Sequence, residues 1–351
     1  MPVLDEMQNY AQTMSRSYGD ARHGAMAALI MRAGVPRSLI ARTRAPVTYT
    51  KMRTHRTQHK VKNTQAFNSV SNQLTEPTLF RIAYATMAQN LPTNFLIFTS
   101  IRYEPTASDN AVNFPHYLLP FHLARLRAAA AAFNLVKVQE VLADEEAALS
   151  LLRTTVDNAV PDKTKPWRVN VRFTPDAQIT ASTTPLPPLK NSIMSLPDTK
   201  SLPQFLQKEA HRRGLPHWDV VVDSQPTPAS PFTGHKTSVR EMYNAARERA
   251  NLVSYDEPRE ILLWNENGEV TEGSITTVYL WREASGTGAR RLVTPPLRCG
   301  PNASSTRRYA LSKGLCDEEA VRLEELKDGD EIWLSHASDG FFPGRLRFLK
   351  T

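Results

Sequence analysis

The chain has 351 residues, of which 41% are hydrophobic and 22% charged, and its formal net charge is +8 at pH 7. This length suits two domains better than one core. No run of roughly 18 apolar residues occurs, so the sequence predicts no membrane-spanning helix. Two cysteines, Cys299 and Cys316, exclude a disulfide framework and lack the spacing of a metal site.

The positive charge belongs to the N-terminal part of the chain. Residues 21–75 contain ten Lys or Arg and no Asp or Glu, and residues 1–20 carry a net charge of −2. The net charge of residues 76–351 is therefore zero. We expect residues 1–76 to form a basic, disordered extension. An Arg-rich, acid-poor segment also resembles an organelle transit segment, although the acidic residues within the first twenty are atypical of one. The expected compartment is the cytoplasm, or the mitochondrion if this segment is a transit signal.

Residues 77–185 are predicted to form a smaller N-terminal α/β domain. A helix is expected over 77–91, an apolar strand over 95–105 and an alanine-rich helix over 121–135, after Pro120. In the segment 166–176, Val169, Val171 and Phe173 alternate with polar residues, which is typical of a half-buried strand. These elements alternate between helix and strand, so the domain is expected to be α/β.

A linker region at 186–214 and a larger C-terminal domain at 215–351 are predicted to follow. Pro, Ser and Thr are frequent around the linker, which also includes a short helix candidate at 202–214. The C-terminal domain is predicted to contain a helix that begins with a capping box, in which Ser238 caps and Glu241 reaches back. Its other predicted elements are strands at 218–223, 260–264, 269–281, 291–297 and 330–337 and a helix at 305–314.

Three groups of residues could perform chemistry. Lys236 precedes the capped helix, where the helix dipole disfavours an ammonium ion and favours a nucleophilic amine; a solvated surface lysine is the simpler interpretation. His122 and Arg125 share one helix face, which is either an anion site or an ordinary wet surface. Free amides and hydroxyls at a helix start that includes Ser305 and Thr306 could bind phosphate, although most helices need such a cap in any case.

Glu272 lies inside a predicted strand, directly before Gly273 and Ser274. Glutamate is a poor strand former, and burying its carboxylate is costly unless a cationic group meets it. Pyridoxal 5'-phosphate requires three things of a protein: a lysine that forms an imine with it, a carboxylate that binds its ring nitrogen, and an arginine and a helix start that bind its phosphate. We therefore expect Glu272 to face the pyridinium of this cofactor.

Six motifs occur in this order along the chain: "LIFTSIRYEP", "FHLARLRAAAAAFN", "HKTSVREMYNAAR", "NGEVTEGSITTVYL", "LVTPPLRCGPNASSTRRYAL" and "EIWLSHASDGF". Together they resemble the motifs of the class IV aminotransferases and their relative 4-amino-4-deoxychorismate lyase. The combination of "HKTSVREMY" and "VTEGSITTVY" is most similar to fungal forms of the lyase. The resemblance extends over about Leu96 to Phe342. It implies an α/β, two-domain fold of type IV, with pyridoxal phosphate in the interdomain cleft and a homodimeric assembly.

The resemblance also implies residue roles. Lys236 of the "HKT" motif would be catalytic and would bind the cofactor as a Schiff base, Arg125 would bind its phosphate, and Glu272 would hold its pyridine nitrogen. Ser305 and Thr306 match the turn that binds the phosphate. The family's final motif tends to read "SNGVRG", whereas this chain has Ser335 to Gly340, with Asp339 in place of an arginine and Ala337 in place of a second phosphate contact. We therefore consider Arg102, at the end of a strand, as a substrate-carboxylate ligand; a solvated arginine is the alternative.

The function implied is the conversion of 4-amino-4-deoxychorismate to 4-aminobenzoate and pyruvate, a step of folate synthesis. Two alternatives remain open at this point. One is an aminotransferase for branched-chain or D-amino acids, which would need a keto-acid acceptor. The other is a noncatalytic member of the fold whose basic extension binds nucleic acid or an anionic membrane surface. The expected partners are a small-molecule substrate and a second copy of the chain, with no nucleic acid on the folded body, no transmembrane segment and no metal.

Overall fold

The structure is a computed structural model, and it describes residues 91–106, 112–189, 192–198, 201–283 and 290–348. All elements given below lie in the unit Thr93–Thr351. The predicted extension at 1–76 and nearly all of the helix predicted over 77–91 lie outside the described residues.

The first sheet has three antiparallel strands in the order β1-β2-β3, namely Ile97–Tyr103, Trp167–Phe173 and Ile179–Pro185. In β2, Val169, Val171 and Phe173 are buried, as their alternation predicts. The opposite face of β2 carries Arg168, which lies directly across from Arg102 on β1. The strands expected at 95–105 and 166–176 are thus confirmed, whereas the polar, Thr-rich β3 was not predicted.

Three helices follow β1 in the sequence: α1 (Leu119–Ala132), α2 (Val136–Val141) and α3 (Glu145–Ala159). Helix α1 has Pro120 in its first turn and an alanine run in its second half, as expected. Its buried side includes His122 and Arg125, so these two residues do share a helix face, and that face is not the wet one. Helix α3 packs against β2 and β3.

The second sheet has eight strands in the order β6-β5-β4-β11-β10-β7-β8-β9. In chain order these strands are β4 (Trp218–Val222), β5 (Arg259–Trp264), β6 (Val270–Gly273), β7 (Thr277–Glu283), β8 (Arg290–Thr294), β9 (Cys316–Glu318), β10 (Glu331–His336) and β11 (Gly340–Arg347). The pairs β4–β5, β4–β11 and β8–β9 are parallel, and the other neighbours are antiparallel. The strand predicted over 269–281 is therefore two strands separated by a turn at residues 274–276.

Four further helices occur in this part of the chain: α4 (Leu202–Arg213), α5 (Pro231–Gly234), α6 (Glu241–Arg249) and α7 (Ser305–Ser312). Helix α7 begins as predicted, because the Ser304 side chain accepts a hydrogen bond from the Arg307 backbone N–H. The capping box predicted for α6 is wrong. That helix follows Arg240 and has no side-chain cap. The Ser238 hydroxyl instead bonds to the backbone of Leu96 and Asn94, just before β1.

The mixed α/β fold expected from the sequence is confirmed by this architecture. The domain boundaries at 76, 185 and 214 stay predictions. Both cysteines are free and buried, and the described part of the chain contains no cluster of His, Cys, Asp and Glu suited to a metal ion. None of the described helices has the length and apolar character needed to cross a membrane.

Candidate active site

A cavity of about 690 Å³ lies between the two sheets. Its wall includes Ser100 and Arg168 from the three-stranded sheet and Glu272 from the eight-stranded sheet. Lys236, in the loop between α5 and α6, and Arg125, on α1, also face this cavity. The first turn of α7 also lines the cavity, through Ser305 and Thr306. Five of the six predicted site residues therefore meet at one cavity, and Arg102 does not.

Lys236 is held by its backbone against β1. Its carbonyl accepts a hydrogen bond from the Phe98 N–H at 3.1 Å, and the next residue, Thr237, bridges to Ile97. The side-chain nitrogen of Lys236 lies 4.9 Å from the centre of the Phe98 ring. Because the loop is paired to a strand, the amine has a fixed place in the cavity wall.

The pKa of Lys236 is lowered well below its ordinary value of 10.5, first by burial and then by the neighbouring guanidinium groups of Arg240 and Arg125. Glu272 opposes this shift only in part. The expected direction is thus present, but the expected cause is wrong, because α6 begins only at Glu241. Desolvation and like charges, rather than a helix dipole, favour the neutral, nucleophilic amine.

Glu272 is buried near the end of β6. The Tyr243 hydroxyl donates a 2.6 Å hydrogen bond to its Oε1, and the backbone N–H of Asn302 donates a second bond to the carboxylate. Burial raises the pKa of Glu272 to about 7, although these two bonds and the charges of Arg125 and Arg240 lower it. The carboxylate therefore already has two neutral donors, and a cation placed in the cavity would complete its surroundings.

Arg125 is buried and points from α1 toward Asn302, whose Oδ1 accepts a 2.6 Å hydrogen bond from its guanidinium. Burial is the main reason that the pKa of Arg125 is lowered to about 10. Its buried Nε has no hydrogen-bond partner among the described residues. A buried donor without an acceptor is costly, so the cavity is expected to receive an anion near Arg125.

His122 lies one turn from Arg125 but does not line the cavity. Its Nδ1 is 2.6 Å from the Thr99 hydroxyl. Burial, followed by the charges of Arg125 and Lys236, lowers the pKa of His122 well below 6.5. The neutral imidazole fixes α1 against β1 and adds no charge to the site.

The start of α7 carries a chain of hydroxyl groups. The Ser304 hydroxyl lies 2.6 Å from that of Thr277 and 3.3 Å from that of Thr306, which accepts a hydrogen bond from Ser335 at 2.9 Å. Tyr279 ends the chain, 2.9 Å from Ser335. Hydroxyls can reverse their donor and acceptor roles, so this chain, together with the amides of the helix start, suits a phosphate.

The turn between β6 and β7 is built on a fully buried carboxylate, that of Glu260 on β5. Both its oxygens accept hydrogen bonds, from the backbone N–H groups of Ile261, Ser274 and Ile275 and from the hydroxyls of Ser274 and Thr276. A Cβ atom at Gly273 would lie 2.7 Å from a Glu260 oxygen. The turn thus needs glycine at 273, and it sets the cavity wall between Glu272 and Thr277.

Arg102 is placed differently from its prediction. Its guanidinium is buried, pairs with Glu104 at 2.7 Å, and donates to the carbonyls of Ser338 and Pro187 at 2.7 and 2.6 Å. These partners use its donors within the protein, and Arg102 does not line the cavity. It holds the β10–β11 turn against β1 and the segment that follows β3.

That turn is the part of the chain that departs from the family pattern. His336, Ala337, Ser338 and Asp339 all line the cavity. The Asp339 carboxylate lies 3.3 Å from Nε2 of His336, and the Nδ1 of His336 accepts from the Ser338 N–H. The turn therefore offers the cavity a His–Asp pair in place of an arginine.

Sequence reasoning missed three residues of the site: Tyr243, Asn302 and Arg168. Tyr243 and Asn302 both bind Glu272 but lie 29 and 30 positions from it in the sequence. Arg168 lines the cavity, and its charge contributes to lowering the pKa of Lys236. Its Nε is buried and makes no hydrogen bond to any residue that the structure describes. The alternation of β2, which points Arg168 away from the core, was the available signal.

Comparison with known proteins identifies the family of the chain. The family model of class IV aminotransferases matches residues 96–346, and the chain belongs to this family, whose members depend on pyridoxal phosphate. The chain is 36% identical over 141 residues to an aminodeoxychorismate lyase of Saccharomyces cerevisiae, a match that covers 37% of each protein. It is 35% identical over 91 residues to a Thermotoga maritima protein assigned as a branched-chain-amino-acid aminotransferase, covering 24% of this chain and 31% of that one.

Among solved structures, a Mesorhizobium loti protein assigned as an amino-acid aminotransferase is similar to this chain, with a TM-score of 0.52 and 23% identity. The match covers 72% of this chain and all of that one, and it supports the fold. The sequence matches span only about a third of the curated relatives' own lengths. The family and the fold are therefore shown, and the reaction is a separate question.

Proposed function

We propose that the protein is a pyridoxal phosphate-dependent lyase that converts 4-amino-4-deoxychorismate to 4-aminobenzoate and pyruvate. One observation carries the proposal: Lys236, Glu272 and Arg125 meet at one cavity with the start of α7. The similarity to the Saccharomyces cerevisiae lyase supports the choice of reaction within the family.

The residues present fit this cofactor. Arg125 has an unused buried donor, and the start of α7 adds hydroxyls that can reverse their donor and acceptor roles, so the two together suit a dianionic phosphate. Glu272 lines the cavity with a carboxylate that could accept a hydrogen bond from a protonated ring nitrogen, and Lys236 offers the only lysine amine among the described residues of the lining. When bound, pyridoxal phosphate supplies an electron sink for a carbanion formed next to the substrate nitrogen.

Lys236 has two roles in this proposal. Its neutral amine would hold the cofactor in the absence of substrate. Once the substrate has displaced this amine, the amine would remove the proton from the carbon of the substrate ring that bears the amino group. The enolpyruvyl group leaves from the neighbouring carbon and gains a proton to become pyruvate. The ring becomes aromatic, so no keto-acid acceptor or oxidant is needed.

Substrate orientation is assigned to Arg168 instead of Arg102. The proposed substrate carries two carboxylates, and a guanidinium binds a carboxylate through parallel hydrogen bonds. Arg168 lines the cavity, and its buried Nε has no hydrogen-bond partner among the described residues, whereas the donors of Arg102 are occupied by Glu104, Pro187 and Ser338. Arg168 is therefore the better candidate to receive a substrate carboxylate.

A class IV aminotransferase is the second candidate, and the similarity to the Thermotoga maritima protein favours it. The two reactions differ in the destination of the proton. A transaminase needs an amino acid and a keto-acid acceptor, whereas the lyase needs one substrate alone.

The test is to supply the purified protein with pyridoxal phosphate and 4-amino-4-deoxychorismate, without any keto acid. The proposal expects equal amounts of 4-aminobenzoate and pyruvate, and none from the K236A variant. Failure to form either product, combined with transfer of an amino group from branched-chain or D-amino acids to a keto acid, would establish the aminotransferase.

A further inference from the structure

Tyr243, on α6, is buried against Glu272 and has no place in the proposed chemistry so far. Its hydroxyl proton has two acceptors: Glu272 Oε1 at 2.6 Å and the Thr233 carbonyl at 3.2 Å. The first bond is the shorter and goes to a group that can carry charge, so an ionised Glu272 is the favoured acceptor. Thr233 offers an alternative acceptor if Glu272 takes up a proton.

The Thr233 carbonyl has a second donor. The Asn302 side-chain amide lies 3.3 Å from it, while the Asn302 backbone N–H binds Glu272 and the side-chain oxygen accepts from Arg125. Tyr243 and Asn302 thus fix the carboxylate from two elements. Both Tyr243 and Asn302 place a hydrogen-bond donor against Glu272, and such donors favour the ionised carboxylate over the protonated form.

The charged groups around Glu272 come from two parts of the chain, α1 and the loop between α5 and α6. Arg125 reaches it from α1, Arg240 from the residue before α6, and Lys236 from the loop between α5 and α6. The Arg240 guanidinium also lies 4.8 Å from the centre of the Tyr243 ring, which fixes the phenol between this cation and the carboxylate. Burial works against these charges by favouring the protonated carboxyl.

We propose that Tyr243 is a positioning residue that keeps Glu272 ionised and oriented toward the cavity. The inference rests on the proposed role of Glu272 toward a ring nitrogen, but it does not depend on which reaction follows. Without the phenol, the protonated form of the carboxyl prevails at neutral pH, and that form offers no charge-assisted hydrogen bond to a protonated ring nitrogen.

The test uses the cofactor-free protein and its Y243F variant. Infrared difference spectra against the matching E272Q and Y243F/E272Q proteins isolate the Glu272 carboxyl band, which is followed from pH 5 to 9. The midpoint in the wild-type protein is expected near pH 7. In Y243F it should rise by about one to two pH units, which corresponds to the loss of one charge-assisted hydrogen bond. Equal midpoints in both proteins would overturn the inference.

A matched control is Y117F. Tyr117 is another fully buried tyrosine, it donates to the Met194 carbonyl at 2.7 Å, and it does not line the cavity. Its removal should leave the Glu272 midpoint unchanged. An equal rise in Y117F and Y243F would mean that general loosening causes the shift, and this would contradict the inference.

A reciprocal measurement does not need the Y243F protein to fold. Burial and the neighbouring carboxylate of Glu272 raise the pKa of Tyr243 well above 10. In E272Q the ultraviolet titration of tyrosinate should therefore gain one group that ionises at lower pH than in the wild type. An identical titration would contradict the coupling. Neither titration involves the substrate, so a failed lyase assay and a failed inference remain distinguishable.

Discussion

The guanidinium of Arg125 donates to the side-chain oxygen of Asn302 at 2.6 Å, and the backbone N–H of the same asparagine donates to Glu272. One residue thus connects the proposed phosphate ligand with the proposed ring-nitrogen ligand. A substitution at Arg125 is therefore expected to alter the hydrogen bonding of Glu272, and the reverse, because buried hydrogen-bond networks do not act as independent pairs.

The R125Q variant should lose affinity for pyridoxal phosphate by about tenfold to a hundredfold, the effect of one hydrogen bond to a charged group. Its affinity for pyridoxal, which lacks the phosphate, should change little. Fluorescence titration of the cofactor-free protein measures both. R153Q, at an exposed position on α3, is the control and should bind both compounds like the wild type. An equal loss for both compounds would contradict a phosphate role for Arg125.

Glu272 should make the stability of the cofactor-free protein depend on pH. Its pKa is raised from 4.5 to about 7 in the folded protein, so the folded state holds this proton more tightly than the unfolded chain does. The stabilisation is fully present below pH 4.5 and is lost as the pH rises through 7, by at most about 3 kcal/mol.

Urea unfolding of the wild type and of E272Q across this range measures the effect. The free energy of unfolding of the wild type should fall relative to that of E272Q as the pH rises from 4.5 to 7. A difference that is constant with pH would show that Glu272 titrates normally.

Arg168 is predicted to affect substrate binding more than turnover. R168Q should raise KM for 4-amino-4-deoxychorismate by about tenfold to a hundredfold while its affinity for pyridoxal phosphate stays close to that of the wild type. R172Q is a matched control on the same face of β2, where Arg172 donates to the Ser182 hydroxyl at 2.8 Å. A KM unchanged in R168Q, or raised equally in R172Q, would remove the assignment.

Glu260 is predicted to stabilise the fold through the turn at 274–276. E260Q replaces one acceptor oxygen by an amide group that faces donors, so the free energy of unfolding should fall by about 1–3 kcal/mol. E248Q, at an exposed position on α6, should change it by less than about 0.5 kcal/mol. Thermal and urea unfolding measure both variants, and equal stabilities would show that the turn does not depend on the Glu260 charge.

Local signals in the sequence were sufficient for much of the fold. Pro120 and the alanine run predicted α1, and the alternation of Val169, Val171 and Phe173 predicted β2. Strand β11 was missed because glycines and Pro343 are unusual in a central strand. It lies between β4 and β10, with Pro343 opposite Trp333, so pairing on both sides overrides local preference.

The site residues that belong to sequence motifs could be predicted, whereas the contacts between residues distant in the sequence could not. Lys236, Glu272 and Arg125 belong to three separate motifs, and the structure brings them to one cavity. The bonds of Glu272 to Tyr243 and Asn302 join β6 to α6 and to the loop before α7, and sequence periodicity does not describe such contacts. The Arg102–Glu104 pair had a readable signal, because residues two apart on a strand share a face.

The central claim is that Lys236 carries the cofactor in the cavity shared with Glu272 and Arg125. The direct test is to load the protein with pyridoxal phosphate, reduce it with borohydride, and locate the attached mass by peptide mass spectrometry. The account predicts a single labelled peptide containing Lys236, and no label in K236A. A label on another lysine, or none on a folded protein with excess cofactor, would contradict it.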